Sequence, residues 1–355
     1  MHRIESLAAL ALGLIIYLPA LSYGGAADVL KPYEKLSGKE REAKLIEAAR
    51  REGKVVYYGT IAVDQSSPLL DAFRARYPFL KPEYYRSGNF NVYNRVKTEA
   101  GAGNYTADVV DLRAGETYAL VKDGLVDPYL APVRNGIMKE FMDEKGYWTA
   151  LFHSPMVLGY NTNFVRKNEA PKNYNDLLDA KWKRKMSLDV EDADMFGTLI
   201  EYWGRDKGLS YFRKLAENEP QMRQGHTLQA QLLAAGEVNV APWLFGYRPL
   251  TMMQRGAPLG IVVLDPILSA ANYMLLLKNA PHPHVAALYL DWVLSRDGGM
   301  KLFAELMGRN VPRENVKEKF PELQASKYLA VDPEKIGPRF GEYSKLYCAT
   351  FRHCS

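Results

Sequence analysis

Glu191, Asp192 and Asp194 place three carboxylates within four positions, a density that could supply an acid and a base if burial raised one pKa above another. Asp192 or Asp194 would equally suit an N-cap of the helix that follows. Arg113 near Glu116, and Arg248 beside Tyr247, offer planar guanidinium forks of the kind that hold a carboxylate or phosphate through two hydrogen bonds. Cys348, His353 and Cys354 have metal-ligand chemistry, against which stands a small-loop disulfide or a pair of free thiols in an oxidising compartment. His282 and His284 bracket Pro283 with no carboxylate beside them in sequence, which reads as a solvated helix entry and not as a ligand pair. The chain has no G-x-S-x-G, no H-E-x-x-H, no G-x-x-x-x-G-K-[ST] and no strand-borne G-x-G-x-x-G. Nucleophilic, zinc-hydrolase and nucleotide chemistry lack their signatures, so the expectation is a binding protein that is not an enzyme.

The chain that must position these groups has 355 residues, more than one hydrophobic core usually organises, and two domains with a cleft between them are expected. A composition of 47% hydrophobic and 25% charged residues is that of a globular protein, not of a disordered, fibrous or multi-span chain. The net charge of +5 is spread along the sequence without a basic block, so it favours anionic partners weakly and gives no support to nucleic-acid binding. Two cysteines exclude a disulfide-built scaffold and every four-cysteine metal module. Met1-His2-Arg3, an apolar run from Leu7 to Leu21 and the small residues Gly24 to Ala27 read as a secretory signal peptide over 1–27, cleaved near Ala27. Export to a periplasm-like space follows from that reading.

Strand and helix then alternate. Ser37 and Glu40 resemble a capping box for a helix that stops at Gly53, and Val55 to Tyr58 is a β-branched and aromatic strand. Helices are expected over 69–77, 92–102 and 116–123, and strands over 82–85 and 109–112. The second half repeats the alternation, with strands over 186–189, 238–241, 261–264 and 273–277 and helices over 196–203, 209–216, 227–235, 285–294 and 299–307. This is an α/β protein with a parallel-rich sheet covered on both faces. Val157 to Asn161 and the segment near Leu277 read as two inter-domain crossings, which would make each lobe discontinuous and give it a hinge. The stretch from Tyr328 onward shows no clear period and is expected to pack loosely or be mobile.

In open α/β sheets a ligand lies beyond the carboxyl ends of the strands. The candidate contacts are therefore Thr60, Ser87, Asn89, Arg113 and Glu116 from the first domain, and Glu191, Asp192, Trp243, Tyr247 and Arg248 from the second. Thr60 and Ser87 equally suit turn caps, Glu116 suits a first helical turn, and Arg113 suits a salt bridge across the cleft. Tyr57, Tyr58, Tyr84 and Tyr85 lie within strands and read as core and sheet-face residues.

Phrases along the chain resemble the ferric-iron-type periplasmic solute-binding proteins of ABC importers. In order they are EAARREGKVVYYGT, LLDAFRARYP, ADVVDL, KDGLVDPYLAP, LDAKWKRK, LLAAGEVNV, RGAPLGIV, KNAPHPHVAALYLDW and Gly308 to Pro312 (GRNVP). The resemblance covers about Glu47 to Pro312. It implies a two-lobed periplasmic-binding-protein fold with hinge strands and a ligand cleft, lobe 1 from 28–155 and 276–325, lobe 2 from 156–275, and a tail from 326–355. It also implies a monomeric periplasmic receptor that hands a small solute to an inner-membrane ABC permease, needs no cofactor, and takes Fe3+ as a possible transported ligand. Many ferric binders of the family carry an adjacent Tyr-Tyr pair before the R/K-x-G-A-P phrase; here only Tyr247 matches, with Gly246 in the other position. Tyr247 would thus be a metal ligand only for iron, and Tyr247 with Arg248 suits an oxyanionic organic solute better. An exported enzyme using Glu191 and Asp192, or a receptor domain for a membrane sensor, are the alternative functions.

Overall fold

The computed structural model describes residues 24–325 and 327–353. Strands β1 (Lys54–Gly59), β2 (Lys81–Arg86) and β3 (Val109–Leu112) run parallel in the order β2-β1-β3. Each is followed by a helix, over Val63–Arg76, Asn89–Gly101 and Ala114–Lys122 respectively. Val55 to Tyr58 and Val109 to Leu112 are buried on both faces, the state that makes strands of this kind nearly continuous in apolar side chains. After the short β4 (Val126–Asp127) comes the long β5 (Thr149–Asn161), buried along its whole length. The second lobe is built on β6 (Ser187–Asp189), β7 (Gln221–Arg223), β8 (Val240–Phe245) and β9 (Leu259–Val262). Strand β10 (Leu268–Leu277) returns to the first lobe, and β11 (Leu329–Ala330) pairs with its start.

Strands β5 and β10 join the lobes. Tyr273 to Leu276 of β10 pair antiparallel with β3, while Ser269 to Met274 pair with the first half of β5. The second half of β5 pairs with β8 and β9. The register shifts between Asn272 and Tyr273 and again between Val157 and Gly159, irregularities that bend a strand and re-aim side chains. The first turns the Asn272 amide toward β3 and the end of β1, where it donates to Asp111 at 2.6 Å and to the Thr60 hydroxyl at 2.8 Å. Gly59 permits this knot: a Cβ there would stand 2.0 Å from an Asp111 carboxylate oxygen.

The end of the chain departs from expectation. Residues after Tyr328 are not loose: a helix over Phe340–Phe351 buries Tyr343 and Tyr347 against the Ala193–Trp203 helix. The Tyr347 hydroxyl donates to the Asp189 carbonyl at 2.6 Å. Residues Pro333 to Arg339 pack on the first-lobe helix Ala114–Lys122, so this segment passes from one lobe to the other. Cys348 is disulfide-bonded, which removes the cysteine–histidine metal reading; Cys354 lies outside the described residues. Most of the expected signal peptide, residues 1–23, also lies outside them. Gly24 to Ala27 belong to the fold, since Ala26 is buried, its N–H donates to the Lys278 carbonyl at 2.6 Å, and the Ala27 N–H donates to Asp127 at 2.9 Å. No helix of the described residues is long and apolar enough to cross a membrane. The two helix-entry histidines do have carboxylate partners, contrary to expectation: His282 meets Asp108 at 3.1 Å and His284 meets Glu52 at 2.6 Å. Both acids come from far along the sequence, and the two histidines have separate carboxylate partners.

Candidate ligand site between the lobes

The residues expected to contact a ligand fall into two groups at the lobe boundary. The first surrounds Arg113, which follows β3. Its Nε donates to Asp194 Oδ2 at 3.0 Å and its Nη2 to Asp194 Oδ1, forming a two-point bridge from one lobe to the other. Asp192 Oδ1 stands 3.5 Å from the same guanidinium. Burial would lower the Arg113 pKa, but Asp194, Asp192 and Asp189 outweigh it and hold the group charged. Asn89, at the start of its helix, accepts from the Arg113 N–H at 3.0 Å and so fixes the approach of β3 to that helix. Asp192 makes no side-chain cap for the Ala193–Trp203 helix, while Asp194 accepts the first-turn Met195 N–H at 2.8 Å as well as bridging to Arg113.

Beside this bridge lies a cavity of about 410 Å³ lined from both lobes and by the last helix, with Asn89, Arg113, Glu116, Glu191, Asp194 and Tyr347 among its walls. Glu116 has its carboxyl pushed up to about 7 by burial and by the neighbouring Asp194. Glu191 accepts from the Gln224 amide at 3.0 Å. Asp192 is fully buried and pushed up to about 6 by that burial, against the pull of His226, whose Nε2 lies 3.1 Å away. His226 is itself shifted upward, because Asp192 and Asp189 overcome the opposing effect of burial. Neither His226 nor Asp189 was singled out in the sequence; nothing marks the start of the His226–Ala235 helix as adjacent to β6.

The second group surrounds Tyr247 and Arg248, and its centre is a residue that sequence reasoning missed. Arg309 is buried; its Nη1 donates to Ser154 Oγ at 2.8 Å and its Nη2 to Gln65 Oε1 at 3.0 Å, both neutral acceptors. Its guanidinium carbon lies 3.8 Å from the Tyr247 ring centre and 4.5 Å from that of Phe152, in cation–π range. Among the described residues it has no carboxylate partner. Burial lowers its pKa to about 10, so it remains charged at neutral pH. Arg248 lies 3.7 Å from Asp64 of the other lobe and donates to the Tyr247 hydroxyl at 3.3 Å. The Nε atoms of both Arg309 and Arg248 are buried without a hydrogen-bond partner. Two guanidinium groups with unused donors can take an oxyanion.

The remaining candidates sit elsewhere. Thr60 is bound to Asp111 through its N–H at 3.1 Å and its hydroxyl at 2.7 Å, the turn-fixing role weighed for it. Ser87 accepts from Asn91 at 3.2 Å, within its own turn. Trp243 is a correction: it is buried in the hydrophobic core against Phe212, with ring centres 5.7 Å apart, and does not face the cleft. A left-handed φ of 60° at Trp243 breaks the alternation of its strand, so it does not share the face of Phe245. Phe245 links the two groups, with its ring centre 4.0 Å from that of His226 and 5.6 Å from the Arg309 guanidinium.

Known proteins share this architecture. The family model described as bacterial extracellular solute-binding protein matches residues 108–337. An uncharacterized protein of Haemophilus influenzae is 25% identical over 268 residues, 71% of this chain and 75% of that one. The iron-bound HitA structure from Pseudomonas aeruginosa superposes with a TM-score of 0.73 at 17% identity, covering 84% of this chain and 99% of the other. The periplasmic binding protein AfuA from Actinobacillus pleuropneumoniae, with fructose-6-phosphate bound, gives 0.73 at 20% identity, covering 85% and 100%. At these identities the solved structures speak to the two-lobed fold.

Proposed function

The chain belongs to the bacterial extracellular solute-binding protein family, and from that premise we propose that it captures a small organic oxyanion between its lobes in the periplasm and delivers it to an inner-membrane ABC permease. The observation that carries the ligand class is Arg309, a buried guanidinium held by neutral oxygens, whose Nε and that of Arg248 are left without partners. A phosphate ester or carboxylate supplies the charge that this pair lacks, and displaces Asp64 as the counter-ion of Arg248. The hinge is β5 and β10, whose halves pair with different lobes. Ligand contacts to both lobes favour the closed arrangement, the differential affinity that any ligand-driven closure requires.

Bare ferric iron suits the site poorly. Fe3+ is a hard trivalent cation, and Tyr247 is the single phenol of the expected tyrosine pair, with one guanidinium against its ring and another at its hydroxyl. Two cations at that distance oppose a third charge of the same sign. The test is a thermal-shift and calorimetric screen of the purified protein against phosphate esters, small carboxylates and ferric citrate. Stabilisation by at least one organic oxyanion is expected; stabilisation by ferric ion alone would overturn the ligand class.

A further inference from the structure

We propose that Asp189, Asp192 and His226 form a binding site for a first-row divalent cation, with Zn2+ the best match, on the second-lobe side of the Arg113–Asp194 bridge. This is independent of the oxyanion reading, which concerns the opposite group of residues. The three side chains come from the end of β6, the loop after it and the start of the His226–Ala235 helix, and one ligand atom from each lies within 4.8 Å of the others. All are buried, Asp189 to 2% exposure, Asp192 to 1% and His226 to 7%.

The directions of the atoms carry the inference. His226 Nε2 lies 3.1 Å from Asp192 Oδ1 and 3.7 Å from Asp189 Oδ2. At the first distance an imidazole and a carboxylate ordinarily form an aligned hydrogen bond. Here both Asp192 oxygens and both His226 nitrogens lack a hydrogen-bond partner among the described residues. The approach is short without being spent on an aligned hydrogen bond, which leaves the imidazole and the carboxylate open to a shared cation. Ligand atoms about 2.0–2.2 Å from a zinc ion stand on the order of 3–4 Å apart, the spacing of His226 Nε2 from each of the two carboxylates.

Two further features agree. The Asp189 carboxylate is held by the N–H groups of Glu191 at 3.0 Å and Gly225 at 2.8 Å, the outer contacts that orient a metal-binding carboxylate. The carboxylates also outnumber their cation: Asp192 and Asp194 share the one Arg113 guanidinium, and Asp192 meets it only at 3.5 Å. Two carboxylates with one imidazole form a mixed oxygen and nitrogen set suited to zinc, manganese or cobalt, and three protein ligands leave a further coordination position.

The full mature protein, stripped with chelator and dialysed, should be titrated with Zn2+ by calorimetry and with Co2+ by visible absorption. The expected result is one equivalent bound, a rise in melting temperature with Zn2+, and a cobalt d–d spectrum carrying an imidazole ligand. Affinity should fall at least about tenfold in Asp192→Asn and in the milder His226→Asn, since even outer contacts change it by about 10–100-fold. His284→Ala removes a half-buried histidine paired with Glu52 in the first lobe, outside the site, and should leave binding unchanged. Absence of stoichiometric binding, or binding lost in His284→Ala and retained in folded His226→Asn, would overturn the proposal.

Discussion

Arg113 and Arg309 are the same residue type, equally buried at 7% exposure, on the same lobe boundary, and their pKa values move in opposite directions. Arg113 has Asp194 in two-point contact and Asp192 nearby, so the surrounding carboxylates outweigh the loss of water. Arg309 has a serine, a glutamine and aromatic faces, so burial prevails and lowers it to about 10. Burial alone therefore does not tell a structural arginine from one that receives a ligand. The distinction lies in whether the protein supplies the counter-charge: Arg113 has carboxylates from the other lobe, and Arg309 has only neutral acceptors, the basis of the proposed oxyanion site.

Removing each arginine should separate the two roles. The largest effect is expected for Arg113→Met, which strands buried carboxylates; breaking such a pair costs about 3–5 kcal/mol, less whatever the lobes recover by opening to water. A fall in apo melting temperature with a larger radius of gyration in X-ray scattering would show this, and an unchanged scattering curve with unchanged stability would break the comparison. Arg309→Met should do the reverse. Apo stability is expected to hold or rise, because an unpaired buried charge is gone, while oxyanion affinity falls by about 2–5 kcal/mol; Arg309→Lys should recover part of it, as a charge without the fork. Equal apo destabilisation in the two variants would erase the distinction.

Tyr247→Phe and Arg248→Ala should each weaken the ligand by about 1–2 kcal/mol and leave the apo melting temperature nearly unchanged, read by calorimetry and thermal shift. The smallest effect belongs to the Arg113 side. Glu116 is raised from 4.5 to about 7 by burial and Asp194, so its favourable contribution is present below about pH 4.5 and lost as pH rises through about 7. Between pH 5 and 8 the wild type should lose stability relative to Glu116→Gln by a few degrees; parallel curves would contradict that environment.

Much of the fold could be read from sequence because its signals are local. Val109 to Leu112 is a strand over the residues expected, and the helix after Ser37 ends at Gly53 with a positive φ of 75°. The last helix carries a local signal too, against the expectation of a loose tail. Tyr343, Tyr347 and Phe351 recur every four residues, the spacing of one helical face, and all three are buried. The site was harder, because a charge reveals its role only through its partners. Arg113 and Asp194 are 81 residues apart, and no local pattern joins them. Arg309 stood within the GRNVP phrase and was read only as part of a resemblance; its one visible signal was a cation in a nearly neutral stretch, with Gly308 at φ 68° turning the chain before it.

The central claim is that Arg309 and its neighbours hold an organic oxyanion. Native mass spectrometry of the wild type and of Arg309→Met, purified without unfolding, tests it most directly. The expected result is a bound phosphate ester or carboxylate retained by the wild type and lost from the variant. A bare ferric ion, or an organic anion retained equally by both, would contradict it.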